Sequence, residues 1–231
     1  MSSSAPIRGA ALVLGHDVNT DELHPSRFFS LDDDRVRSGF FIDRAGAVLT
    51  TREAVRQCSR ITLNDESDAQ IAAEDSVLGL ALLRPVDQLA PISVARLASG
   101  EPRIQSDIAI AGYSFGGILT APSVSFGTLE DLKGLDGDTR VKRLSVNSEP
   151  ADAGGPVFAT SGAVVGMVLD QADGARQLPG DVAFAAKSPT LQDFLSANGV
   201  SALGDPDVDE LAPEDLALLA ADLTVLVSCW N

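Results

Sequence analysis

Short apolar segments separated by turn residues run along most of this chain, and they constrain its fold more than any other feature. The clearest case is the sequence SGFFID at 38–43, followed by a three-residue turn and then AVLT at 47–50. Two strand-forming stretches joined by so short a turn are typical of a β-hairpin. The 20 glycines and 12 prolines fit a chain of many short strands and turns. The pattern predicts an all-β fold.

Both halves of the chain repeat this texture. Further strands are predicted at 7–14, 59–63, 68–73, 78–83, 107–112, 124–129, 141–146, 156–159, 163–169, 182–186 and 223–230. One helix is predicted from about Ser188 to Ala197, with Pro189 at its first position, and a second begins at Pro213. The stretch 85–102 is the best linker between the halves. From the pattern alone, a pair of barrels and a sandwich both remain open.

The balance of charges restricts the possible partners. The formal net charge is −16, with 33 acidic residues against 17 basic ones. Nucleic-acid binding needs clustered Lys and Arg, and anionic lipid also attracts positive charge, so neither class of partner is expected. No segment approaches the roughly 18 apolar residues of a membrane span. The segment 1–6 has no apolar signal-peptide core, which predicts either a cytosolic start or a Met added to an excised domain.

The two cysteines, Cys58 and Cys229, lie far apart in the sequence. The residues alone leave open whether they are inert core thiols or a bonded pair. Neither has a CxxC partner or a nearby histidine, so a metal site is not expected there. The acidic run at 32–34 lacks the spacing of a calcium loop, which favours a solvated turn. We therefore expect no metal and no other cofactor.

Five segments, in order, resemble motifs of the trypsin-like serine peptidases, especially the bacterial HtrA/Deg group. They are SGFFID with GAVLT at 38–50, GYSFGG at 112–117, ADAGGPVF at 151–158, SGAVVGM at 161–167 and DVAFAA at 181–186. The segment ADAGGPVF is similar to the family's nucleophile loop, G-D-S-G-G-P. Order and spacing match over about residues 5 to 200.

The resemblance implies a two-barrel architecture. Each barrel would contain six antiparallel strands, the first over residues 5–95 and the second over 103–200. A short helix near 188–198 would close the second barrel. Residues 204–231 would form a helix–strand extension that packs back on the barrels.

The same resemblance locates the three positions of the catalytic triad. A serine peptidase needs a hydroxyl nucleophile, an imidazole base and a carboxylate that orients the base. The matching segments place Glu53 at the histidine, Gly79 at the aspartate and Ala153 at the serine. His16 and His24 precede the hairpin, outside the triad positions, and are expected to be turn or surface residues. The resemblance therefore implies a pseudoprotease.

The nucleophile loop keeps its glycines although it has lost its serine. Its residues are Ala151, Asp152, Ala153, Gly154 and Gly155. The loop is expected to aim backbone N–H groups into the oxyanion hole. Such a domain could bind a peptide or protein partner beside the cleft without cutting it. Two alternatives remain: a serine endopeptidase whose nucleophile is replaced by Ala153, and a structural module of a larger envelope protein.

The resemblance also bears on the cysteines. Cys58 follows Glu53 by five residues, where secreted trypsin-like domains often carry a cysteine, and a C-terminal segment often braces the first barrel. A Cys58–Cys229 disulfide is therefore expected, with a loop-entropy stabilisation of about 4–5 kcal/mol. Such a bond implies a periplasmic or secreted location. The signal would then have been trimmed or would lie on an upstream domain.

Overall fold

The computed structural model of the chain describes residues 36–170, 179–205 and 210–230. The strand predicted at 7–14, both histidines and the acidic run at 32–34 lie outside these residues. The strands are β1 Val36–Phe41, β2 Val48–Thr51, β3 Arg60–Leu63, β4 Ser67–Asp75, β5 Leu80–Pro85, β6 Asp107–Gly112, β7 Ser123–Asp131, β8 Val141–Ser145, β9 Pro156–Ala159, β10 Val164–Val168, β11 Val182–Lys187 and β12 Thr224–Trp230. The helices are α1 Ser188–Ala197 and α2 Pro213–Leu223.

These strands form two closed six-stranded barrels. The order in the first is β1-β12-β3-β4-β5-β2, and in the second it is β10-β11-β8-β7-β6-β9. Neighbouring strands pair antiparallel, including the predicted hairpin of β1 and β2, in which Gly39 faces Thr50. The predicted fold class is confirmed, and so are helix α1 and the C-terminal helix–strand unit. Strand β12 is an integral part of the first barrel, between β1 and β3.

Alternate residues of one strand enter different cores, because successive side chains of a strand point to opposite faces. In β5, Ala81 and Leu83 belong to a core built by the first barrel, whereas Leu80 and Leu82 belong to a core shared by both barrels and the helices. Strand β6 alternates in the same way between the shared core and that of the second barrel. Burial on both faces explains why the segment 78–83 is almost entirely apolar. The shared core fixes the barrels against each other.

The connection between β5 and β6 is attached to both barrels. Ala95 donates its N–H to the carbonyl of Phe41 in the first barrel, at 2.8 Å, and Ala98 donates to Val164 in the second, at 2.9 Å. Further along, Glu101 forms an ion pair with the fully buried Lys142, whose Nζ lies 2.8 Å from a carboxylate oxygen. Burial lowers the pKa of Lys142, and the Glu101 carboxylate opposes this shift. These contacts fix the connection against both barrels.

Strand β12 is fastened to the first barrel covalently as well as by hydrogen bonds. Cys229 in β12 forms a disulfide with Cys58, which is 171 residues earlier in the sequence. The bond joins the C-terminal strand to the segment that follows Glu53. The expected pairing of the two cysteines is therefore present.

No helix within the described ranges combines the length and apolar character needed to cross a bilayer.

Removing the disulfide should destabilise the domain, because the bond closes a long loop and restricts the unfolded chain. The double variant Cys58→Ser/Cys229→Ser is expected to lose about 2–5 kcal/mol of unfolding free energy. Urea unfolding of both proteins, each with and without reductant, measures this loss. Reductant should lower the unfolding free energy of the native protein only, because the double variant has no disulfide to reduce. Equal stability of the two proteins would contradict the structural role of the bond.

Candidate functional site

The loop 150–155 carries the position at which a trypsin-like peptidase has its nucleophile. Residues 150–152 form one turn of 3-10 helix, and Ala153 follows it, almost fully buried. The N–H of Ala153 donates to the carbonyl of Pro150 at 3.3 Å, and the N–H of Gly155 donates to Asp152 at 2.9 Å. The N–H of Gly154 reaches across to Val168 in β10, at 2.8 Å. These donors are satisfied within the protein.

This geometry bears on the expected oxyanion hole. The sequence predicts that the loop directs N–H groups into such a hole; in the structure the N–H of Ala153 donates to the carbonyl of Pro150, at 3.3 Å. A donor that already has an internal acceptor is not poised for an incoming oxyanion. The glycines permit this closed arrangement as readily as an open one, so the loop sequence could not distinguish them.

A buried serine of the first barrel holds the loop. Ser38 in β1 donates its N–H to the carbonyl of Ala153, at 3.0 Å, and its hydroxyl to the carbonyl of Ala151, at 2.7 Å. The same hydroxyl accepts the N–H of Tyr113 from the second barrel, at 2.8 Å. Thr50 in β2 donates its hydroxyl to the carbonyl of Ser38, at 2.7 Å. Ser38 thus links both barrels to the nucleophile loop.

Asp152 anchors the loop from its other side. Its carboxylate accepts the hydroxyl of Ser114, at 2.7 Å, and the N–H of Glu149, at 2.8 Å. Burial raises the pKa of Asp152, and these two hydrogen bonds only partly offset that effect. The charge of Glu149 raises the pKa further. The loop therefore contains a buried carboxyl group that is more easily protonated than an ordinary aspartate.

The positions assigned to the base and the acid lie on neighbouring backbone segments. Glu53 is in a 3-10 turn after β2, and the N–H of the preceding Arg52 donates to the carbonyl of Gly79, at 2.8 Å. The half-exposed carboxylate of Glu53 faces Arg56, with 3.5 Å between oxygen and nitrogen. Gly79 has φ of +69°, and a Cβ built on it would meet no atom within 4 Å. The space left by an absent acid side chain is therefore open.

Two of the three segments contact β1: the turn that carries Glu53 and the turn that precedes Ala153. Gly79 is linked to the Glu53 segment by the hydrogen bond from Arg52. Sequence reasoning did not find the roles of Ser38 and Ser114, although both lie inside matched motifs. Each is a single serine beside or near a glycine, Ser38 in strand β1 and Ser114 in the β6–β7 loop, and such a pattern is too common to interpret alone.

Among the residues that the structure describes, no group of three or more His, Cys, Asp or Glu side chains could hold a metal ion. The polar groups at the site bond to one another instead.

Comparison with known sequences identifies the family. A sequence model described as "Trypsin-like peptidase domain" matches residues 37–167, more than half of the chain. The chain belongs to this trypsin-like peptidase family. It is also similar to the uncharacterized protein y4bJ of Sinorhizobium fredii (strain NBRC 101917 / NGR234), with 29% identity over 203 residues that cover 83% of this chain. The chain spans only about a third of the length of that relative, 32%.

Solved structures resemble the same two-barrel fold. The trypsin-like domain is similar to the Rv3671c protease of M. tuberculosis in its inactive form, with a TM-score of 0.57, 20% identity, and coverage of 77% of this chain and 97% of the other. It is similar to the active form too, with a TM-score of 0.57 at 16% identity, covering 88% and 97%. The HtrA-type protease AlgW with a decapeptide has a TM-score of 0.58 at 19% identity, covering 70% and 51%. At such identities the likeness establishes the fold.

Two glycines of the trypsin-like domain with positive φ should respond differently to an added methyl group. A Cβ at Gly154, where φ is +88°, would collide with the Ser38 carbonyl and the Thr50 hydroxyl, whereas Gly79 has open space. Gly154→Ala is expected to cost roughly 2–5 kcal/mol of unfolding free energy, from strain and overpacking. Gly79→Ala should cost only the backbone strain, about 1–2 kcal/mol. Chemical denaturation measures the unfolding free energy of each variant. Equal losses for Gly154→Ala and Gly79→Ala would contradict the tight contact between the loop and β1.

The raised pKa of Asp152 predicts a pH dependence of stability with a definite sign. The native protein binds the proton of the Asp152 carboxyl group more tightly than the unfolded chain does. The resulting contribution to the unfolding free energy is fully present below the unfolded pKa of about 3.9 and is lost as pH rises through the folded pKa. In Asp152→Asn the amide oxygen can accept the N–H of Glu149 and the amide N–H can donate to the hydroxyl oxygen of Ser114, so the charge is removed while both contacts remain hydrogen bonds. The unfolding free energy of Asp152→Asn minus that of the native protein should therefore be larger at about pH 8 than at about pH 5. A difference that shrinks with rising pH would contradict this.

Proposed function

We propose that this chain is a catalytically inactive trypsin-like domain that binds a peptide or protein partner in the cell envelope. The observation that carries the proposal is Ala153 at the nucleophile position. A methyl side chain cannot form the acyl intermediate through which this class of enzyme works. Removing the nucleophile alone costs roughly a factor of 10⁶ in a serine peptidase.

The surroundings of Ala153 support the loss of catalysis independently. The N–H of Ala153 donates to the carbonyl of Pro150, so this donor is not free to stabilise an oxyanion. Glu53 pairs with Arg56, and Gly79 has no side chain with which to orient a base. Nucleophile, base, acid and oxyanion donor are thus all changed. A single substitution in an otherwise working site would leave the other parts intact.

The location and the kind of partner rest on separate observations. The Cys58–Cys229 disulfide favours an oxidising compartment, in agreement with the HtrA-type protease among the similar structures. That protease was solved with a decapeptide. The excess of acidic residues argues against a nucleic-acid partner. A protein or peptide in the cell envelope agrees with each of these points.

Restoring the hydroxyl tests whether catalysis is lost by one substitution or by several. We expect Ala153→Ser neither to hydrolyse casein nor to react with a fluorophosphonate probe, because base, acid and oxyanion donor are still missing. Ala151→Ser, in the same loop but not at the nucleophile position, is the matched control. Hydrolysis or labelling by the native chain would contradict the loss of catalysis. Activity of Ala153→Ser but not of Ala151→Ser would show instead an endopeptidase whose nucleophile is replaced.

A further inference from the structure

The loop between β6 and β7 places large apolar side chains in solvent beside the closed nucleophile loop. Phe115 is 56% exposed, Ile118 75% and Leu119 48%. The three lie within five residues of one another. Single exposed apolar residues are ordinary on a protein surface, whereas a local group of large exposed apolar residues often marks a site of interaction with another molecule.

This apolar loop is held at its base by both barrels. Tyr113 donates its N–H to the hydroxyl of Ser38, and Ser114 donates its hydroxyl to Asp152. The tip closes through hydrogen bonds from Gly116 to Tyr113, at 2.8 Å, and from Ile118 to Phe115, at 3.1 Å. Because these hydrogen bonds already fix the loop backbone, the loop would lose little conformational entropy when a partner binds.

An acidic turn lies against the same loop. The β3–β4 turn contains the exposed residues Asp65 and Glu66. The preceding Asn64 exchanges two hydrogen bonds with Leu226 of β12, at 2.8 and 3.0 Å. A Cβ built on Gly117 would lie 3.1 Å from the side chain of that same Leu226. Leu226 therefore contacts both the loop that carries the apolar tip and the acidic turn.

A further carboxylate group lies near the base of the loop. Glu149 is exposed, and its N–H is bonded to Asp152, the same group that holds Ser114. Burial raises the pKa of Tyr113 at the base of the loop, and the negative charge of Asp65 raises it further. Acidic residues thus lie near both the tip and the base of the loop. Such a face complements a segment that combines apolar and positively charged side chains.

We propose that Phe115, Ile118 and Leu119, together with Asp65 and Glu66, form the surface on which a cationic, apolar segment of the partner protein docks. We call these five residues the loop surface. The inference rests on the proposed function, since it names where and by what chemistry the non-catalytic domain holds its partner. The apolar side chains supply most of the binding energy, and the carboxylates attract and orient the positive charges.

The test uses a fluorescein-labelled peptide of lysine, leucine and serine, whose binding to the full chain is followed by fluorescence anisotropy. A second peptide, in which serine replaces each leucine, has the same charge and controls for general attraction to an acidic protein. We expect the leucine-containing peptide to bind at least about tenfold more tightly than its control.

Variants then locate the binding. Phe115→Ser/Ile118→Ser should weaken binding of the leucine-containing peptide by about tenfold or more, and Asp65→Asn/Glu66→Gln by a few-fold, more so at low salt. Val86→Ser/Ile92→Ser removes two other exposed apolar side chains, which are 59% and 78% exposed and outside the loop surface, and should leave the affinity unchanged. All these side chains lie at the surface, and matched thermal unfolding curves verify that folding is intact.

Three results would overturn the docking proposal. The first is equal affinity for both peptides, and the second is equal weakening of binding by the loop-surface variants and the control variant. The third is a concentration-dependent dimer of the chain that Ile118→Ser dissociates, which would assign the surface to a second copy. The proposed function fails by a different readout, fluorophosphonate labelling or casein hydrolysis by the native chain. The two failures are therefore distinguishable.

Discussion

The hydrogen bonds of Ser38 are the contact on which the arrangement of the site depends. This fully buried residue of β1 binds the carbonyls of Ala151 and Ala153 and accepts the N–H of Tyr113. One side chain therefore fixes the nucleophile loop, the β6–β7 loop and the relative position of the two barrels at this point. Buried polar groups that lose a partner are costly, so the three elements are expected to move together or not at all.

The chemistry of the site follows from this fixed arrangement. Ala153 carries no hydroxyl, and its N–H donates to the carbonyl of Pro150. The barrel pair around it is that of a trypsin-like peptidase. The exposed apolar tip of the β6–β7 loop is the basis of the docking surface that we propose.

The fold was predictable from the sequence to a large extent, because period-2 patterns, turn residues and five ordered motifs agreed with one another. The hairpin at 38–50 and the helix at 188–197 occur where they were predicted. The Cys58–Cys229 pairing followed from family resemblance, since nothing in the local sequence links residues 171 apart. The state of the nucleophile loop was not predictable. Its glycines allow an open and a closed form, and the choice depends on Ser38 and Asp152, which are distant in sequence from each other.

Amide hydrogen exchange at the nucleophile loop tests the central claim, that this loop is closed in the native domain. The account predicts that the N–H groups of Ala153, Gly154 and Gly155 exchange far more slowly than those of an unstructured peptide, because each is bonded to a carbonyl of the protein. NMR spectroscopy of the native chain can resolve these amides individually. Exchange of the Ala153 amide at the rate of a free peptide would contradict the account, since it would mean a loop open to an oxyanion.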